Sequence, residues 1–300
     1  MNAQRVIGVD LGGTKILAGA IDGEGTVLER HEVPTPTGSQ AELVEGIAAA
    51  IEPLAAGGMA ALGFGIPSVI DRTTGQALGS VNIPMEDVSL GQVMGERFDV
   101  PATVENDGNA AALAEWRLGA GRGAENMAML TLGTGVGGGL ILGGALYRGW
   151  AELGHVVVVA DGPPCQGNCT GRGHLECLAS GSAADRAAVK LWGEGATAQL
   201  LVGRAAEGDP EAVEALADIG HLLGAAIGSF FNIFATELVV IGGGFGTAAA
   251  DYLFPEALQV AHREALLDSS RVDLRIVKAE LGSDAGLIGA GLLAFETLEH

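Results

Sequence analysis

VIGVDLGGTKILAGAI, Val6–Ile21, carries the pattern that decides the fold, and MAMLTLGTGVGGGLILGGAL, Met127–Leu146, repeats it. In the first stretch the apolar run Val6–Asp10 ends in an acid, Gly12-Gly13 follows, and Ile16–Ile21 is apolar again. That order predicts strand, glycine turn, strand. In the second, Met127–Leu132 and Leu140–Leu146 flank the glycines of Gly133–Gly139. ILAGAI after one turn and LILGGAL after the other are similar segments in similar contexts. Two related α/β halves, with a ligand between them, would explain the repetition. A chance similarity of strands rich in Gly, Ala and Leu would explain it as well.

The rest of the chain reads as an alternation of strands and helices. Glu42–Leu54 has helical spacing, Ala61–Ile66 is a strand closed by Pro67, and Ala102–Val104 is a strand followed by a helix over Asn109–Leu118. Asp161–Gly173, rich in Gly, Pro and Cys, predicts an irregular loop. Glu211–Phe234 predicts one long helix whose second half is apolar almost all round and therefore buried. Leu238–Ile241 is a strand running into Gly242-Gly243-Gly244, and Ala285–Leu298 is a C-terminal helix. The uncharged stretch Met127–Tyr147 is long enough to span a membrane, but its central glycines fit a turn between strands better.

Three hundred residues suggest two domains. A formal charge of -21 repels a phosphate backbone and anionic lipid, so neither nucleic acid nor a membrane is an expected partner. The three cysteines fall between Cys165 and Cys177; that odd cluster is no disulfide framework and suits a reducing compartment. The N-terminus lacks the pattern of a secretory leader, so a cytoplasmic protein is expected.

No Gly-Lys dipeptide and no G-x-S-x-G occur, which removes a Walker A loop and a nucleophile elbow. Gly133-x-Gly135-x-x-Gly138 matches the dinucleotide fingerprint but precedes a strand instead of a helix. Three glycine clusters remain: Asp10–Lys15, Gly133–Gly139 and Gly242–Gly246. Any one is explained by a tight turn. Together, with Thr14 and Thr134 as hydroxyl donors and Lys15 as a charge, they point to nucleotide phosphates, and Asp10 offers oxygen to Mg²⁺. In Glu105-Asn106-Asp107 an Asp at a helix start is often only a cap. A carboxylate there can also take a proton from an attacking hydroxyl, with Asn106 holding a neighbouring one. His155, Cys165, Cys169, His174 and Cys177 form a set of soft and borderline ligands in a loop too polar to be core, which suits zinc. Glu176 beside it can bond a polyhydroxylated ligand.

DLGGTK, ENDGNAAALAEW, LGTGVGGG, ELGH, the cysteine loop ending GRGHLE, VVIGGG and LGSDAGLIGA follow one another along nearly the whole chain. In that order they resemble the ROK family of sugar kinases, and within it the bacterial glucokinases. The resemblance implies the actin-like, hexokinase-like fold, two RNase H-like α/β domains around a cleft. It divides the chain into a small domain, 1–105, and a large one, 106–286, with a zinc loop over 155–177; the helix at about 287–300 would pack back on the small domain. It implies ATP-dependent phosphorylation of a hexose 6-hydroxyl, glucose to glucose 6-phosphate in glycolysis, with ATP, Mg²⁺ and structural Zn²⁺, in a homo-oligomer (dimer or tetramer). Asp10, Gly12, Gly13, Thr14 and Lys15 match the first phosphate loop; Gly133, Thr134 and Gly135 match the second; Gly242, Gly243 and Gly244 match the stretch near the adenosine. Asp107 matches the catalytic base and Asn106, Glu152, His155 and Glu176 the sugar ligands, with Gly65 and Asn82 matching more loosely.

The sequence departs from the family at the metal. The family pattern has one residue between its first two cysteines and a cysteine before the Leu-Glu pair. Here Gln166-Gly167-Asn168 separate Cys165 from Cys169, and His174 stands before Leu175-Glu176. The expected ligands are His155, Cys165, Cys169 and His174, with Cys177 as the rival. Two alternatives accompany the kinase: an enzyme for another hexose or N-acetylhexosamine (mannose, fructose, N-acetylmannosamine), or a sugar-responsive regulator. The second needs a DNA-binding domain ahead of the first loop, for which nine residues leave no room.

Overall fold

The computed structural model describes residues 4–80, 83–266 and 273–299. In chain order the elements begin β1 (Val6–Leu11), β2 (Lys15–Ile21), β3 (Val27–Pro34), α1 (Gln40–Ala55), β4 (Leu62–Ile66), β5 (Val69–Ile70) and β6 (Ala77–Gly79). Next are α2 (Leu90–Phe98), β7 (Ala102–Asn106), α3 (Asp107–Leu118), β8 (Met127–Leu132), β9 (Val136–Leu142) and β10 (Ala145–Leu146). Then come α4 (Leu175–Ala179), α5 (Gly181–Trp192), α6 (Ala198–Ala206), α7 (Pro210–Phe234), β11 (Leu238–Gly242), α8 (Gly244–Ala248) and α9 (Ala250–Glu264), and finally β12 (Arg275–Lys278) and α10 (Ala285–Leu298).

The chain divides into two compact units. The first draws its described residues from Met1–Leu118, Arg148–Trp150 and Ser283–His300, the second from Gly119–Tyr147 and Ala151–Gly282. This division differs from the expected boundary at residue 105. Helix α3 continues directly from β7 and packs on α10, so it stays with the first unit, as does α10 itself.

The first unit is built on a sheet of order β3-β2-β1-β4-β7. Its β1–β2 and β2–β3 pairs are antiparallel, whereas β1–β4 and β4–β7 are parallel. The second unit has the order β10-β9-β8-β11-β12, again with two antiparallel pairs and then two parallel ones. The repeated hairpin therefore marks a repeated sheet plan. Strand β1 is buried along both faces apart from Asp10, as a central strand covered on each side must be. Ile7, Val9, Leu43, Ile47, Phe64 and Ile66 lie in the core on one side, and α10 covers the other.

Helix α7 starts where Asp209 caps it and Pro210 takes the first position. It is long and apolar enough to cross a membrane, yet half of its most apolar window is buried within the structure, chiefly against α9. Its second half is not buried all round: Ser229, Asn232 and Ile233 are exposed. Small and apolar residues there pack against neighbouring elements on part of the helix surface only, which composition alone does not show.

Candidate active site

The parallel register of the first sheet gathers its polar residues at one end. Asp10 on β1 lies opposite Gly65 on β4, and Gly65 lies opposite Glu105 on β7. All three are at or next to the carboxyl ends of their strands, where ligands collect in open α/β sheets. Asn106 ends β7 and Asp107 begins α3. The cap of α3 is supplied by Asn106, whose Oδ1 accepts from the Asn109 N–H at 3.2 Å while its Nδ2 donates to the Ser68 carbonyl at 3.4 Å. Asp107 Oδ1 accepts from the Gly108 N–H at 2.8 Å. Burial raises the Asp107 carboxyl above its ordinary range, and the backbone donors offset this in part. Asp10 is pushed up from 3.8 to about 7 by burial and then by the charge of Asp107, with Lys15 pulling it back.

Glu105, the one member of the triplet without an expected role, is the buried hub of this end of the sheet. Arg72, between β5 and β6, donates to both its oxygens at 2.7 and 2.6 Å. Its Oε1 also accepts from the Asn106 N–H at 2.9 Å and from Asn109 Nδ2 at 3.0 Å, and Arg148 approaches Oε2 to 3.5 Å. A fully buried carboxylate held by a bidentate arginine fixes the peptide that leads into Asp107. Sequence spacing gave no sign of this, because both arginines come from distant segments.

The first glycine turn, Gly12–Lys15, is closed by the Gly12 N–H donating to the Lys15 carbonyl at 2.9 Å. Gly13 and Thr14 are exposed. Lys15 sets its ammonium against Glu32 of β3 at 2.7 Å, so its charge is shared with that strand. Asn82 falls outside the described residues.

In the second unit Gly133, Thr134 and Gly135 form the turn between β8 and β9, at the carboxyl end of β8. A Cβ on Gly135 would run into the Glu176 carboxylate, so a side chain there would have to push that carboxylate off the turn. Gly242 ends β11, which runs parallel to β8, and Gly243 turns the chain into α8 with φ +81, a left-handed value that favours glycine. The second and third clusters thus sit at the same end of one sheet.

His155, Cys165, Cys169 and His174 come together: one ligand atom from each lies within 4.8 Å of the others. Cys169 Sγ is 3.5 Å from His174 Nδ1. A tetrahedral zinc with ordinary Zn–S and Zn–N bonds has an S···N edge of about 3.5 Å. The His155 Nδ1 atom is buried without a hydrogen-bond partner. Donor types, spacing and the orphaned nitrogen fit a closed Cys₂His₂ zinc site. Burial pushes the Cys165 thiol up to about 11, and a zinc ion would reverse that by binding the thiolate. Cys177 is not part of the cluster; it lies buried on α4 and its thiol donates to the His174 carbonyl at 3.2 Å. Glu152 stands beside the cluster, 3.6 Å from His155 Nδ1.

The chain is similar to known proteins along nearly its whole length. The ROK family profile matches residues 6–297. A glucokinase of Streptomyces coelicolor is 35% identical over 97% of this chain and 97% of its own. An N-acetylmannosamine kinase of Escherichia coli is 32% identical over 96% of this chain and 97% of its own. The crystal structure of a ROK family glucokinase from Streptomyces griseus, in complex with glucose and AMPPNP, superposes with a TM-score of 0.83 at 33% identity, over 97% of this chain and 99% of that one. A doubled α/β unit with glycine turns at the strand ends is thus the actin-like, hexokinase-like fold. The chain belongs to the ROK family.

Proposed function

We propose that the protein is an ATP-dependent hexose kinase that phosphorylates glucose at its 6-hydroxyl. The observation that carries this reading is the Asn106-Asp107 pair at the start of α3, locked by Glu105, which lies in register with Gly65 and, through it, Asp10. Asp107 accepts the proton of the attacking hydroxyl; its raised pKa moves it towards the working pH of a general base. Asn106 retains one N–H and further lone pairs on its amide to orient a neighbouring hydroxyl. The first and second glycine turns present backbone N–H groups to the phosphates of ATP, and Gly242–Gly244 leaves room near the nucleoside. Asp10, once ionised, would hold Mg²⁺, which would supply positive charge to the transferred phosphoryl group. Glu152, His155 and Glu176 bind further sugar hydroxyls. Zn²⁺ at His155, Cys165, Cys169 and His174 has a closed shell and orders the loop.

Three thiols without a disulfide suit a reducing cytoplasm. Assembly as a dimer or tetramer is part of the same reading. The test is coupled ADP release over glucose, mannose, fructose and N-acetylmannosamine. Turnover fastest on glucose supports the proposal. N-acetylmannosamine as the preferred substrate would replace it by the activity named for the Escherichia coli relative.

A further inference from the structure

We propose that the metal loop sets nucleotide affinity, and that Gln166 carries that coupling as a positioning residue. The proposal rests on the phosphate role of Gly133–Gly135 given above.

Gln166 lies in the three-residue spacer between Cys165 and Cys169, where this sequence departs from the family pattern. Its Nε2 donates to the Thr134 carbonyl at 3.0 Å. Ser182 Oγ, near the start of α5, donates to the same oxygen at 2.8 Å. Glu176, two residues beyond His174, accepts from the Val136 N–H at 2.9 Å. Residues 134–136 are therefore held by three side chains, two of them from the metal loop and its exit.

The consequence follows from peptide geometry. The Thr134 carbonyl and the Gly135 N–H belong to one planar peptide and point in opposite directions. Two donors on the Thr134 oxygen fix that plane, and so aim the Gly135 N–H, which is the group offered to phosphate. Glycine at 135, whose φ is one of the two dihedrals that turn this plane, leaves the peptide free to rotate when the donors are absent.

The metal fixes Gln166. With Cys165 and Cys169 bound to one ion, the spacer becomes a short closed ring. Cys165 N–H already donates to Gly171 O at 2.9 Å, but Gly167 and Asn168 are exposed and have no core beneath them. Without the ion, holding the Gln166 amide on Thr134 costs backbone and side-chain entropy that coordination otherwise covers. The ion touches neither nucleotide nor Thr134; it pre-organises the donor.

The experiment uses the zinc-loaded enzyme, its Gln166→Met variant and chelated samples of both. Zinc content and the dissociation constants of glucose and of a non-hydrolysable ATP analogue are measured by calorimetry. Methionine keeps the length of the side chain and removes the donor. One lost hydrogen bond corresponds to about a fivefold weakening of analogue binding. The expected result is that loss in Gln166→Met, with glucose affinity and zinc content unchanged, and a KM for ATP that rises more than kcat falls. Chelation should weaken analogue binding in the wild type and add little in the variant. Unaltered analogue affinity in Gln166→Met, or an equal effect of chelation on both proteins, overturns the coupling. The Gly135→Val variant separates this from the underlying assignment: if it binds the analogue normally, the turn is not a phosphate loop at all.

Discussion

The two glycine turns occupy equivalent places in sheets of equivalent order, yet they are braced by different means. The first, at Gly12–Lys15, is tied by its own sheet: Thr35, just after β3, donates through Oγ1 to Gly12 O at 2.7 Å and through N–H to Thr14 O at 3.0 Å. The second is tied by Gln166, Glu176 and Ser182, which come from beyond the hairpin. Gly181 N–H adds a bond to Gly133 O at 2.7 Å. A turn braced by a strand neighbour is stable whenever the sheet is. A turn braced by a metal loop inherits the condition of that loop. Two copies of one plan can therefore respond differently to the same reagent.

The largest expected effect isolates the chemistry from both turns. Asp107→Asn should lower kcat by about two to four orders of magnitude while leaving glucose and nucleotide binding close to normal, since only the proton acceptor is removed. Steady-state kinetics with a binding assay checks this, and near-normal turnover would remove Asp107 from the base role.

Loss of the metal should strike one turn and spare the other. His174→Ala should abolish zinc binding, whereas Cys177→Ala, outside the cluster, should retain it. Amide exchange in His174→Ala should rise around Thr134 and stay unchanged around Thr14. Elemental analysis and exchange measurements test both parts; equal loosening of the two turns would erase the distinction between them.

The reciprocal change is Thr35→Val. The isosteric side chain keeps the backbone bond to Thr14 and strips the Gly12 carbonyl of its hydroxyl donor. A loss of about 1–2 kcal/mol in denaturant unfolding is expected, with zinc content and the chelator response of nucleotide binding unchanged.

The smallest effect concerns pH. Asp10 binds its proton more tightly when folded, with a pKa of about 7 against an ordinary 3.8. Between those values the folded state holds more protons than the unfolded one, so stability falls as pH rises from about 4 to 7. Without Mg²⁺ the protein should lose stability over that window, and Asp10→Asn should flatten the slope. An unchanged slope in the variant would assign the titration to other groups.

Much of the first unit's site was legible because its signals are local. Asn106 and Asp107 are adjacent, the glycine clusters are contiguous, and the hairpin pattern has a period that the eye can follow. The metal set was also legible, since four ligands within one loop have few ways to meet. Glu105 was visible only as a neighbour of Asp107. Its role needed Arg72 and Arg148, and nothing in their spacing connects them to it. The domain boundary drawn at 105 and the division at Leu118 differ for a similar reason: the packing of α3 on α10 joins residues far apart in the chain.

The sequence by itself determined the strand–turn–strand units, the residue types fit for phosphate, proton and metal, and the order of motifs that identifies the family. These depend on periodicity, on backbone freedom at glycine and on side-chain chemistry, all of which act over a few residues. Only the tertiary structure decided that Cys177 stands outside the metal cluster, that Asn106 caps α3, and that Gln166 and Glu176 reach the second turn. Those outcomes depend on which surfaces meet when the chain collapses, and a hydrogen bond across thirty or forty positions leaves no period in the sequence.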